Sequence, residues 1–158
     1  MAINTTKIVR FLDSLYLLLL GIGVGAIIAC IFSAPTLFRA GEILTLPITK
    51  EQSGVLMGRI FENLNIVLFI VAGGIIVFEF IVAKMLRNSS IVIVLSAGIS
   101  LIMIFLFALY YTPYILSAPD AQSPEFQSMH AQSVVVFDIL LVSLCVLFVS
   151  KFLKIVQR

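Results

Sequence analysis

Four apolar stretches dominate the chain and fix what it can become: Leu15 to Phe38, Ile66 to Ala83, Ile91 to Tyr114 and Val134 to Val149. About 20 apolar residues span a hydrocarbon core of about 30 Å, so each stretch marks a membrane-crossing helix. Of the 158 residues 61% are hydrophobic and only 11% charged, and the mean hydropathy is +1.20, values that ordinary soluble domains do not reach. The expected fold is all-α, an integral membrane four-helix bundle in one domain, with helices over about residues 12–38, 50–86, 91–114 and 124–153. Lys7 and Arg10 before the first apolar run resemble the start of a signal peptide. That run continues too far and shows no small-residue cleavage site, so it reads as a retained helix.

Charge placement predicts the orientation. Lys7, Arg10, Lys84, Arg87, Lys151, Lys154 and Arg158 fall on one side, seven of the ten basic residues. The positive-inside rule makes that side the cytoplasm, with both termini in it. On the opposite side Arg39, Lys50 and Arg59 are offset by Glu42, Glu51 and Glu62, and "SAPDAQSPE" has no basic residue. The net charge of +2 is therefore a topology signal, with no indication of a nucleic-acid partner.

Local signals mark the helix ends. Thr49 and Gln52 have capping-box spacing, and Ser123, Pro124 and Glu125 form a helix start. The second helix exceeds the membrane, which predicts a projecting first turn or a bend near Gly54 or Gly58. Gly21, Gly25, Ala29 and Ser33 form a stripe at every fourth position of the first helix, expected to pack against a second backbone. Gly54 and Gly58 repeat the spacing in the second helix, and Ser96 and Ser100 in the third. "FSAPTLFRA" and "YYTPYILSA" close the first and third helices alike, which suggests two like-oriented hairpins. Cys30 and Cys145 lie mid-helix without a C-x-x-C pattern and read as small apolar residues.

Polar residues gather at one level. Twenty-one residues separate Lys151 from the only histidine, His130, about 31 Å of helix, and Asn65, Asn63, Glu62 and Arg59 land near the same depth counted from Lys84. Tyr110, Tyr111 and Tyr114 close the third helix there. Arg59, Glu62 and Asn63 share a helical face, as do His130 and Ser133, so the expectation is an outward-opening polar pocket set against a plain interfacial belt. Asp138 lies inside "VVVFDILLV", about 20 Å from Lys151. A carboxylate there costs about 3 kcal/mol on insertion scales, so it is expected to face the interior and meet Asn65, Ser96, Ser100, Cys30 or Ser33, or else to be protonated. Glu79 beside Lys84 and Arg87, and Asp13 beside Arg10, read as interface pairs.

The segments "GVGAIIACIFSAPTLFRA", "EQSGVLMGRIFENLN" and "FQSMHAQSVVVFD" carry a family resemblance. The chain resembles small four-helix membrane proteins classed as a bacterial domain of unknown function, with a eukaryotic relative associated with cisplatin tolerance. The shared positions are Pro35 and Phe38, Ser53 to Phe61, and Phe126, His130 and Ser133. Asp138 stands where the resemblance leads one to expect asparagine. The resemblance implies four helices and a bacterial cytoplasmic-membrane address, and no established activity.

Three functions follow. The first is a small transport or solute- or ion-binding bundle, with Arg59, Glu62, Asn63, Asn65, His130 and Ser133 at its entrance and Asp138 deeper. The second is a structural or assembly subunit that uses the small-residue stripes to bind a membrane protein or another copy. The third is a redox protein holding haem or copper through His130 with Met57 or Met129, a thin ligand set. Hydrolytic triads, phosphate loops and zinc clusters are absent from the sequence, so an enzyme is not expected.

Overall fold

A computed structural model describes residues 2–82, 90–118 and 122–157. Its elements are α1 (Ala2–Phe38), α2 (Ala40–Leu44), α3 (Lys50–Ile75), α4 (Ile91–Leu106), α5 (Thr112–Ser117) and α6 (Pro124–Val156). A π-helical segment, Ile76–Val82, prolongs α3, and another, Phe107–Tyr111, joins α4 to α5. No strand occurs among the described residues. Four helical stretches are long and apolar enough to cross a membrane, Lys7–Phe38, Lys50–Phe80, Ile91–Ser117 and Pro124–Val156. The chain is a four-helix membrane protein whose outer surface is itself apolar, as Leu18, Phe32, Ile70, Ile102 and Val142 illustrate. Lys84 and Arg87, the expected anchors beyond the second helix, lie outside the described residues.

Helix α1 packs on α3 and α6, and α4 packs on α6. The buried rows have helical spacing: Tyr16, Leu20 and Ile27 on α1, Leu68, Val71 and Ile75 on α3, and Leu140, Leu144 and Leu147 on α6. The stripe read as the α1 packing face lies elsewhere. Gly21, Gly25 and Ala29 are exposed, and a side chain added at Gly25 meets nothing within 4 Å. Gly21 approaches only Phe148, and Ser33 turns its hydroxyl to the Ala29 carbonyl at 2.8 Å. The close approach falls two residues away, at Gly23, where a Cβ would lie 3.0 Å from Val71 Cγ2. Small residues sit on both faces of α1, and the large residues around Gly23, Tyr16, Leu20 and Ile27, settle which face turns inward.

The caps form as their spacing implies. Thr49 Oγ1 accepts from the Gln52 amide while the Gln52 side chain accepts from the Thr49 amide, and Ser123 Oγ accepts from the Phe126 amide. Helix α3 runs without a break through Gly54 and Gly58. Proline shapes the other ends. Pro113 has no N–H for the Leu109 carbonyl, and the chain widens to a π-turn just before it, with the Thr112 hydroxyl donating to the Phe107 carbonyl at 3.0 Å. Pro35 lies inside α1, which continues to Phe38.

Candidate functional site

Close packing holds at the end of the bundle where Tyr16 and Lys151 meet, and the helices part at the other. There they enclose a cavity of about 820 Å³ whose walls come from α1, α3, the α4–α5 region and α6. Its back is buried and apolar, built from Cys30, Met57, Phe107 and Phe137. Phe107 packs against Phe137 with centroids 4.8 Å apart and the rings tilted by 33°, and meets Phe61 edge to face at 5.7 Å. Lys50, Glu51, Gln122 and Gln127 ring the mouth. Both proline-containing segments of the apparent repeat contribute, Pro35 from one and Ile115 and Leu116 from the other.

His130, Ser133 and Asp138 all line this cavity. The His130 ring is exposed and lies parallel to Phe126 at 5.9 Å, with no hydrogen bond to a described residue. Ser133 is buried, and its hydroxyl donates to the His130 carbonyl at 2.7 Å. Asp138, within a turn of the middle of α6, is exposed on the wall and makes no hydrogen bond or ion pair with a described residue. The expected interior partners are engaged elsewhere. Ser96 donates to the Val92 carbonyl, Ser100 pairs with Ser143 Oγ at 2.9 Å across α4 and α6, and Ser33 bonds within its own helix. The buried row through Val136, Phe137 and Leu140 leaves Asp138 beside it, facing the gap between α1 and α6.

The remaining candidates lie away from the cavity wall. Arg59 and Glu62 are exposed and pair with each other, Nη1 to Oε2 at 2.7 Å, and Asn63 is exposed beside them. Asn65 lies outside the lining too, its carbonyl oxygen buried without a partner among the described residues. The face shared by Arg59, Glu62 and Asn63 thus points away from the face of Met57, Gly58 and Phe61 that meets the cavity. Gly58 takes part through size: a Cβ there would come within 2.6 Å of Leu116 Cδ2, while one at Gly54 meets nothing within 4 Å.

A second polar cluster, at the opposite end, escapes the sequence reading. Lys151 Nζ lies 2.8 Å from Glu79 Oε1 with both side chains buried, and 5.2 Å above the Tyr16 ring. Tyr16 in turn stacks on Phe78 at 4.6 Å. The Tyr16 phenol sits beside the Glu79 carboxylate without a well-formed hydrogen bond to any described residue. Asp13, one turn earlier, is also buried. These residues were expected at the interface. Periodicity carried the signal instead: Lys151 continues the buried row Leu140, Leu144, Leu147, and Glu79 continues Leu68, Val71, Ile75. Among the described residues no group of three His, Cys, Asp or Glu side chains is gathered to hold a metal ion.

The family described as Domain of unknown function (DUF4149) matches residues 18–124, more than half of the chain. The chain belongs to that family. No curated protein and no solved structure matches it. The DUF4149 match takes in α1 from residue 18 onward, all of α2, α3, α4 and α5, and the start of α6, so it includes the cavity walls at Cys30, Met57 and Phe107. It stops before His130, Ser133 and Asp138. The polar side of the cavity therefore rests on the geometry of α6 and not on the DUF4149 match.

Proposed function

We propose that the chain is a bacterial cytoplasmic-membrane protein that binds a small solute or ion in the four-helix cavity and works as a small transport bundle. On this reading the basic residues hold both termini in the cytoplasm and the cavity opens outward. The kinship to the eukaryotic protein associated with cisplatin tolerance belongs to the same reading. The observation that carries it is Asp138, a carboxyl without a partner among the described residues, at mid-helix on the wall of a cavity that also takes His130 and Ser133. An ionisable group held at membrane depth without a structural partner is most simply explained by a partner that comes and goes. Although His130, Ser133 and Asp138 all line the cavity, no hydrogen bond among the described residues links their side chains into a nucleophile, base and orienting acid, so we read it as a binding site and not as an enzyme's. His130 alone, with Met57 across the cavity, supports haem or copper less well than it supports a solute.

Thermal unfolding in detergent across a panel of metal ions, organic cations, anions and amino acids tests the proposal. A solute at 100 times its Kd stabilises by about 2.7 kcal/mol. At least one class should raise the melting temperature of the wild type and leave Asp138→Asn unmoved. Equal shifts in both proteins, or none in the wild type, would contradict the proposal.

A second reading rests on a different surface. The exposed face of Gly25 and Ala29 supports a subunit role, because a helix can approach closely there. A membrane partner or second copy that co-purifies with the wild type and with His130→Ala, but is lost from Gly25→Leu, would establish it.

A further inference from the structure

We infer that the cavity takes an amphiphilic organic cation, a compact apolar molecule carrying one ammonium-like charge. The inference rests on the solute-binding reading and names the class of ligand. Charge comes first. Lys50 and Glu51 at the mouth offset one another, whereas Asp138 lies fourteen residues into α6, about 21 Å of helix rise below its start, with no cation among the described residues paired to it. A neighbouring proline adds a second acceptor. Pro35 has no N–H to give, so the Ile31 carbonyl lacks its helical donor where both residues line the cavity. These acceptors attract positive charge, while the side chains that could donate to an anion, Lys50, Gln122, Gln127 and His130, lie nearer the mouth.

The walls decide what kind of cation. A bare metal ion needs several converging donors, and among the described residues no group of three His, Cys, Asp or Glu side chains supplies them. The wall instead offers aromatic faces, Phe61, Phe107 and Phe137, within about two helical turns of Asp138 along α6 or packed on that stretch. Such faces attract organic cations as well as apolar groups. A volume of about 820 Å³ lies within the range of about 300–1,000 Å³ that holds drug-sized ligands. The cavity is also open along its side. Below the mouth its exposed lining includes Val55 on α3 and Leu116 on α5, and facing each other Ile31 and Pro35 on α1 and His130, Val134 and Asp138 on α6, so a gap between α1 and α6 runs from the mouth down to the carboxyl. A molecule dissolved in the bilayer reaches Asp138 through that gap without first crossing water.

Tetraphenylphosphonium and tetraphenylborate share a shape and differ in charge, so their equilibrium binding to the full chain in nonionic detergent isolates the sign. The phosphonium should bind wild type and Glu62→Gln saturably, bind Asp138→Asn weaker by about tenfold or more, and outcompete the borate. Adding a choline phospholipid to the micelle separates two sources of the same cation: competition assigns it to a lipid headgroup, and unchanged affinity to a free amphiphile. Borate binding equal to or tighter than phosphonium binding would overturn the cation class and leave the solute site standing. Undiminished phosphonium binding by Asp138→Asn would overturn it too. Binding of neither ion by wild type would also overturn it, while the thermal panel still decides the solute reading on its own terms.

Discussion

Lys151 Nζ and Glu79 Oε1 are 2.8 Å apart inside the bundle, joining α6 to the π-helical end of α3 across 72 residues of sequence. In an apolar interior each charge is tolerable only because the other is there. The Tyr16 ring under the ammonium completes the enclosure, and α1, α3 and α6 are thereby tied together at the end remote from the cavity.

Breaking that pair should be costly and removing it should not. Lys151→Met or Glu79→Leu alone is expected to lower stability by about 3–5 kcal/mol, because the remaining charge is left buried without its partner. The double variant Lys151→Met with Glu79→Leu should recover most of the loss. Denaturation by sodium dodecyl sulfate, followed by circular dichroism for the singles and the double, measures the coupling.

The two faces of α1 should respond oppositely to bulk. Gly23→Leu drives a side chain into Val71 and is expected to cost about 1–3 kcal/mol. Gly25→Leu adds its side chain to open surface and should change stability by less than about 0.5 kcal/mol. The same unfolding assay on the two variants checks the phase of the helix.

The exposed Arg59–Glu62 pair should matter little. Arg59→Ala is expected to shift stability by less than about 1 kcal/mol, as exposed ion pairs do, and to leave solute-induced thermal shifts as large as in wild type. A loss of the solute response in Arg59→Ala would move the site to the opposite face of α3.

How far the fold was legible follows from what each signal encodes. Thr49, Gln52, Ser123 and Pro124 act within a few residues of themselves, so their spacing alone placed the helix starts. Helix rotation was harder, because spans that are apolar on every side give the phase only through their few polar or large residues. Asp138 was assigned to the interior on the cost of a buried carboxylate, yet the row Val136, Phe137, Leu140 already turned it toward the gap. Arg59, Glu62 and Asn63 lie on a face of α3 away from the cavity lining, which counting depth could not foresee, since a rise per residue fixes height along a helix and leaves azimuth open. Lys151 served as an interfacial marker for that height, whereas it is buried against Glu79. A pocket was among the expectations, but its walls were beyond sequence: they arise from the divergence of whole helices, for which Pro35 and Pro113 supply only local causes.

The central claim is that one flank of α6 borders a solute-accessible cavity while the adjoining flank meets lipid. Val134 and Val135 are both exposed, at 47% and 57%, but only Val134 lines the cavity. Single cysteines placed at these two positions, in a background with Cys30 and Cys145 replaced by alanine, can be timed against a charged, water-soluble thiol reagent in intact membranes. Thiolates form and react only where water reaches. The Val134→Cys variant should react about tenfold faster or more than Val135→Cys, and an organic cation that binds should slow it. Equal rates at the two positions would contradict the account.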